Sequence, residues 1–307
     1  MTLATFITEF LEYLEIEKGC SELTIQQYRH YLTRFCGWIS ESYSITDPGQ
    51  IDLEHVRKYR IYLSRLKTHE DEQLKKITQS YHIITLRSFF RYLIAQRDIN
   101  TLSPDKIELP RAISRSITFL NLDQLDRLLD SVDISKEPGL RDRSIMEMFF
   151  STGLRVSELV KLNRDDVNLD RKEFGVRGKG AKLRVVFLSN TAADWIKRYL
   201  EVRNDRFKPL FIRYGGEKDM EKDGDNRRLS VRSVQKLISK YAKKSGLPIK
   251  VSPHTLRHSF ATDLLIAGAD IRSVQELLGH ESIRTTQVYT HVTDKHLKEV
   301  HKTFHRR

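Results

Sequence analysis

Through the first hundred positions apolar residues recur at intervals of three and four. This spacing predicts amphipathic helices. Phe6, Phe10, Leu11 and Leu14 form one stripe over residues 5–17, and Ile25, Tyr28, Leu32, Phe35 and Ile39 a second over 24–39. Val56, Tyr59, Leu63 and Leu66 mark a third over 55–66, and Ile83, Leu86, Phe90, Leu93 and Ile94 a fourth over 79–96. Four such helices with short polar connections make a small bundle. The period breaks at 102–115, where Ser103-Pro104 and Leu109-Pro110 push the chain toward extended conformation. This predicts a linker over 103–115, between a domain of residues 1–102 and another of 116–307.

The second half mixes periods. Leu122, Leu125, Leu128 and Leu129 predict a helix over 121–131, and another spans 140–150. Residues 173–176 and 183–188 (LRVVFL) read as strands joined by the turn Arg177-Gly178-Lys179-Gly180. Helices resume at 191–202, at 233–244 and from Pro253 onward. The tract 215–228 is polar and reads as an exposed loop. Its Asp219, Asp223 and Asp225 fail the spacing of a calcium loop. The expected fold class is mainly α, with a small antiparallel β-sheet in the C-terminal domain.

Length and charge narrow the function. The chain has 307 residues and 39% hydrophobic content, enough for real cores. Its formal net charge is +12. Residues 1–110 hold 14 Lys and Arg against 15 Asp and Glu, whereas 111–307 hold 39 against 26. A basic half suits a polyanion, nucleic acid first and anionic membrane second, although a merely basic protein fits as well. No apolar run reaches a membrane span, and the acidic N-terminus lacks the pattern of a secretory signal. Cys20 and Cys36 fall in helical patterns and read as reduced thiols of a cytoplasmic protein.

Four local features bear chemistry. In TGLRVSEL, Arg155 and Glu158 are three apart, so Glu158 can orient the Arg155 guanidinium or meet another basic group. Lys179 sits between two glycines at the hairpin tip, where an ammonium can face a phosphate or a leaving oxygen. In SPHTLRH, Ser252 suits an N-cap and Pro253 the first helical position. His254 and Arg257 then share a face near a helix N-terminus, which favours anions. Gly279 stops a helix over 271–278, His280 follows at its exit, and Tyr289 comes nine residues later in a segment over 285–292. Singly, each has an ordinary role: a surface ion pair, a solvated lysine, a capped helix, a packed tyrosine. His254 and His258, with His280 and His291, also fit zinc spacing, but no Cys or metalloprotease Glu accompanies them.

In combination these residues suit metal-free phosphoryl transfer with a tyrosine nucleophile. Guanidinium forks match the non-bridging oxygens of a phosphodiester, where charge develops. A lysine or histidine can protonate the leaving sugar oxygen, and a tyrosine can hold the covalent intermediate.

In the order and spacing of these motifs the chain resembles the tyrosine site-specific recombinases of the Xer and phage-integrase family. TGLRVSEL supplies Arg155, GKG supplies Lys179, HTLRHSFAT supplies His254 and Arg257, LLGH supplies His280 and TTQVYTH supplies Tyr289. The resemblance implies a SAM-like core-binding bundle and a catalytic domain that clamp double-stranded DNA. It implies a homotetramer, or a heterotetramer with a paralogous recombinase, on two DNA sites. Cleavage would pass through a 3′-phosphotyrosyl bond at Tyr289 and a Holliday junction, with no cofactor, metal or ATP. Arg155 and Arg257 would stabilise the phosphorane and Lys179 would act as general acid. His254 and His280 would assist, with Glu158 in support. A tail helix over 294–304, striped by Leu297, Val300 and Phe304, would dock on a neighbouring subunit. Such enzymes resolve chromosome or plasmid dimers or move mobile elements, sometimes with an activating motor protein. Two other functions remain open at this point, a binding protein on the same fold and a topoisomerase with the same chemistry.

Overall fold

The computed structural model describes residues 1–67, 71–109, 118–178, 182–215 and 223–279. The chain divides into two compact units, Met1–Ser114 and Arg115–Arg307.

The first unit holds α1 (Leu3–Ile16), α2 (Glu22–Tyr43), α3 (Leu53–Arg65) and α4 (Lys76–Arg97). Thr2, Ser21 and Asp52 cap the first three, each accepting a backbone N–H three residues on. Most of the predicted stripe residues form the core, with Phe10, Leu32, Phe35, Tyr59, Leu63 and Phe90 buried together, whereas Ile94 is exposed. Helix α2 runs past its predicted end because it closes on Ser40 to Tyr43, which carry no apolar period. The segment after α4 differs from a free connection. Pro104 and Ile107 are buried, Ile107 within this core, and Asp105 pairs with Arg87 at 3.1 Å. Cys20 and Cys36 are free thiols, both half-buried.

The second unit runs α5 (Leu122–Asp130), α6 (Glu137–Thr152), α7 (Val156–Leu159), β1 (Glu173–Arg177), β2 (Leu183–Phe187), α8 (Asn190–Glu201), α9 (Val231–Lys244), α10 (Pro253–Ile266) and α11 (Ile271–Leu278). The sheet is a two-stranded antiparallel hairpin with Glu173 opposite Phe187 and Arg177 opposite Leu183. Helix α6 is the axis of this unit. It is buried on several sides, at Ile145, Met146, Met148 and Phe149, and packs against α8 and α10. Around the polar tract, Asp223 pairs with Lys208 and Asp225 with Arg228, so both carboxylates are held by cations. Arg228 also donates to the carbonyls of Val160 and Leu162, which ties the tract to the end of α7. Asp219 lies outside the described residues. Among the described residues no helix is long and apolar enough to cross a membrane.

Candidate active site

Four chain turns meet in the second unit, each shaped by a local signal. Gly153 ends α6 in the left-handed conformation, φ 60°. This frees the chain to turn at once into Arg155, the N-cap of α7. Ser252 caps α10 in a reciprocal box with Thr255, which sets His254 and Arg257 in its first turns. Gly279 ends α11, again left-handed at φ 62°, directly before His280. The hairpin closes through the Gly178 N–H donating to Lys182 O at 2.8 Å, directly before Lys179.

The C-terminal end of α11 is where these turns converge. A helix end carries unpaired carbonyls and partial negative charge, and it favours cations. Here three guanidiniums supply them. Arg184 Nε donates to Leu277 O at 3.2 Å, Arg257 Nη2 to Leu278 O at 2.6 Å and Arg155 Nη2 to Gly279 O at 3.0 Å. Arg257 Nη1 also donates to Gly153 O at 2.5 Å, which joins α10 to the turn before Arg155. Arg257 is buried, whereas the Arg155 side chain keeps 29% of its surface exposed. Arg155 therefore faces the open side, with two of its five donors used among the described residues.

Glu158 lies behind the arginines, 6% exposed. Oε1 accepts from Arg155 Nη1 and from Arg184 Nη1, both at 2.9 Å, and Oε2 from Arg184 Nη2 and the Arg155 N–H, both at 2.8 Å. Burial alone would raise its pKa. The hydrogen bonds and charges of Arg184 and Arg155 overcome that and hold it down to about 2. It is a fixed anion that aims both cations.

His254 stands exposed at the mouth of the site. Desolvation by the protein beneath it, then the charges of Arg257 and Arg155, lower its pKa below the ordinary histidine value. Its imidazole is neutral near pH 7 and can accept a proton. His258, one turn further, is pushed to about 4 by burial and by its neighbours His254 and Arg257.

The structure thus brings together Arg155, Glu158, His254 and Arg257 of the residues expected from sequence. Lys179, His280, Tyr289, His291, the segment 285–292 and the tail 294–304 lie outside the described residues. Their immediate neighbours do not. A methyl group built on Gly178 would sit 3.5 Å from Arg184 Nη1 and 3.9 Å from Arg155 Nη1, so the hairpin base abuts both cations. Gly279, the residue before His280, is bonded by Arg155.

Sequence reasoning missed Arg184. Its signal was the alternation of β2, which puts position 184 on the inward side with Val186. A charge on that face demands a buried counter-charge, which Glu158 provides.

Comparison with known proteins identifies the family. The phage integrase family profile matches residues 118–296, and its N-terminal SAM-like domain profile matches residues 7–97. The chain is 38% identical to a protein named tyrosine recombinase XerD of Listeria innocua serovar 6a, over 98% of both chains. It is 36% identical to tyrosine recombinase XerC of Thermodesulfovibrio yellowstonii, over 98% of this chain and 96% of the relative. In fold it is similar to the XerH site-specific recombinase, solved with its difH substrate before cleavage. The TM-score is 0.71 at 22% identity, over 97% of this chain and 94% of that one.

Proposed function

The chain belongs to the phage integrase family as a site-specific tyrosine recombinase of Xer type, and on that premise we propose that Tyr289 is its nucleophile, in a pocket completed by Arg155, Lys179, His254, Arg257 and His280. The observation that carries this is the shared anchorage of Arg155 and Arg257 on the Leu278–Gly279 turn that leads into His280. Two cations remote in sequence are anchored on neighbouring carbonyls, which supports their acting on one phosphate.

The chemistry follows from these positions. The Tyr289 phenol oxygen attacks the scissile phosphorus of a double-stranded DNA site. Neutral His254 is suited to take the phenolic proton or to hydrogen-bond the phosphate, and His280 assists in the same way. Arg155 and Arg257 stabilise the charge on the non-bridging oxygens. The bond from phosphorus to the 5′ oxygen breaks, Lys179 gives that oxygen a proton, and the 3′-phosphate stays on Tyr289. Attack by the 5′-hydroxyl of a partner duplex releases the tyrosine and yields a Holliday junction. The ester keeps the bond energy, so no ATP is needed.

Residues 1–102 and 116–307 both engage the DNA, and the net positive charge of 111–307 supports that role for the second unit. Four protomers, of this chain alone or with a paralogous recombinase, work on two sites, with the 294–304 tail seated on a neighbour. The free thiols Cys20 and Cys36 suit a cytoplasmic setting. Dimer resolution, with or without a motor protein, and mobile-element transfer differ in the DNA site, which selection from random duplexes identifies.

On a nicked suicide duplex of the selected site, the wild type is expected to form a covalent adduct on a denaturing gel, and Tyr289→Phe none. Arg155→Lys, which loses the fork, should slow adduct formation by about a hundredfold or more. A wild type that forms no adduct would overturn the proposal. An adduct that survives in Tyr289→Phe would remove that residue as nucleophile.

A further inference from the structure

Arg184 makes more of the contacts in the site than any role assigned above requires. It comes from β2, the strand that returns from the lysine hairpin. Its fork grips both oxygens of Glu158 at 2.8 and 2.9 Å, and its Nε reaches back to Leu277 O at 3.2 Å. Its stem lies along Gly279, where an added methyl group would come 3.0 Å from Arg184 Cδ. One side chain, 11% exposed, thus touches the carboxylate that aims Arg155, the helix end before His280 and the glycine at the hairpin base.

We propose that Arg184 is a positioning residue for DNA cleavage, which sets the aim of Arg155 by sharing Glu158 with it and seats the 277–279 turn against the hairpin. This rests on the recombinase site proposed above and adds a residue to it. A buried carboxylate must be paired on both oxygens. With Arg184 in place, Oε2 is taken by Arg184 and the Arg155 backbone, and the Arg155 side chain is left with Oε1 alone. Without Arg184, Oε2 keeps only the Arg155 backbone N–H, and the carboxylate loses the second cation that offsets its pull on the Arg155 guanidinium. The Arg155 fork then closes on Glu158, leaves Gly279 O and points away from the phosphate. Lysine replaces arginine here only in part, because three donors in one plane serve a carboxylate and a carbonyl in different directions.

A merely structural ion pair would lower stability and leave the folded enzyme's chemistry alone. The test separates these. In the full-length protein, Arg184→Gln, Arg184→Lys, Glu158→Gln and the double variant Glu158→Gln/Arg184→Gln are compared with wild type. The readouts are thermal melting, DNA affinity and the single-turnover cleavage rate at saturating protein on the suicide duplex. Arg184→Gln is expected to cleave at least about tenfold more slowly with affinity within about twofold of wild type, and Arg184→Lys to fall between. The double variant is expected to be no slower than the slower single one, because the pair acts as a unit. A folded Arg184→Gln or Arg184→Lys that cleaves at the wild-type rate overturns the inference. So does a rate loss that only follows lost binding, or effects of the two positions that multiply. If Arg184→Gln does not fold, Arg184→Lys decides on the same criteria. A wild type without adduct would instead sink the recombinase site itself, so the two failures are distinct.

Discussion

A carboxylate as deeply buried as Glu158 holds its charge only because two arginines face it, and the same logic of satisfied or unsatisfied groups governs the other residues with testable behaviour. His82 is the opposite case. It is 2% exposed, and its Nδ1 pairs with the Tyr59 hydroxyl at 3.0 Å. Its Nε2 is buried with no hydrogen-bond partner among the described residues. Desolvation, then Arg34 and His30, push its pKa to about 4. The folded protein therefore keeps it neutral, while the unfolded chain binds a proton near pH 6.5. Its contribution is complete above that value and lost as pH falls toward 4. Between pH 7 and 5 the wild type should lose on the order of 2 kcal/mol through this group, and His82→Gln should lose measurably less, as thermal melting at the two values will show. Gly153 is a steric case. Its φ is 60°, and an added methyl group would lie 2.5 Å from Phe260 Cδ1. Gly153→Ala should destabilise the protein by about 2–4 kcal/mol in denaturant unfolding. It should also slow cleavage, because Arg257 holds the Gly153 carbonyl.

Elements were legible where one periodicity ran long enough to bury a face. The stripes at Phe10, Leu32, Phe35, Tyr59 and Phe90 are the first core, and Gly279 stops α11 as read from its position. Helix beginnings without apolar residues were harder. Helix α6 starts at Glu137, with Pro138 in the first turn, three residues before its stripe. Helix α7 is four residues long, too short for any period. LRVVFL is a strand as read, and its faces are unusual. Leu183, Val185 and Phe187 are exposed and Arg184 faces inward, because the site needs a cation there more than the core needs a leucine. The alternation shows which side Arg184 takes, but not its partner, since Glu158 lies on a distant helix. Helix α10 offers a direct test at this scale. Ser252 caps the helix that presents His254 and Arg257. Ser252→Ala should cost about 1 kcal/mol of stability in a denaturant melt. A change of several kcal/mol would mean that the cap also holds the site.

At the scale of the molecule, the charge asymmetry and the motif order pointed to a DNA enzyme before any coordinate did. Geometry added what linear order cannot, that the end of α11 is the anvil on which three arginines from separate segments are set. Binding by a chain whose residues 111–307 hold 39 basic against 26 acidic side chains should weaken steeply with salt. Each neutralised phosphate should add about 0.9 to the slope of log affinity on log salt. Salt titration of the selected site measures the slope, and a flat response would contradict electrostatic docking. The covalent step is tested most directly by its bond. Wild-type protein trapped on a suicide duplex, digested with nuclease and trypsin, should give one peptide that carries a nucleotide remnant. Mass spectrometry should place that remnant as a phosphodiester on Tyr289, within residues 285–295. A remnant on any other side chain, or none in a trapped and folded sample, would contradict the account.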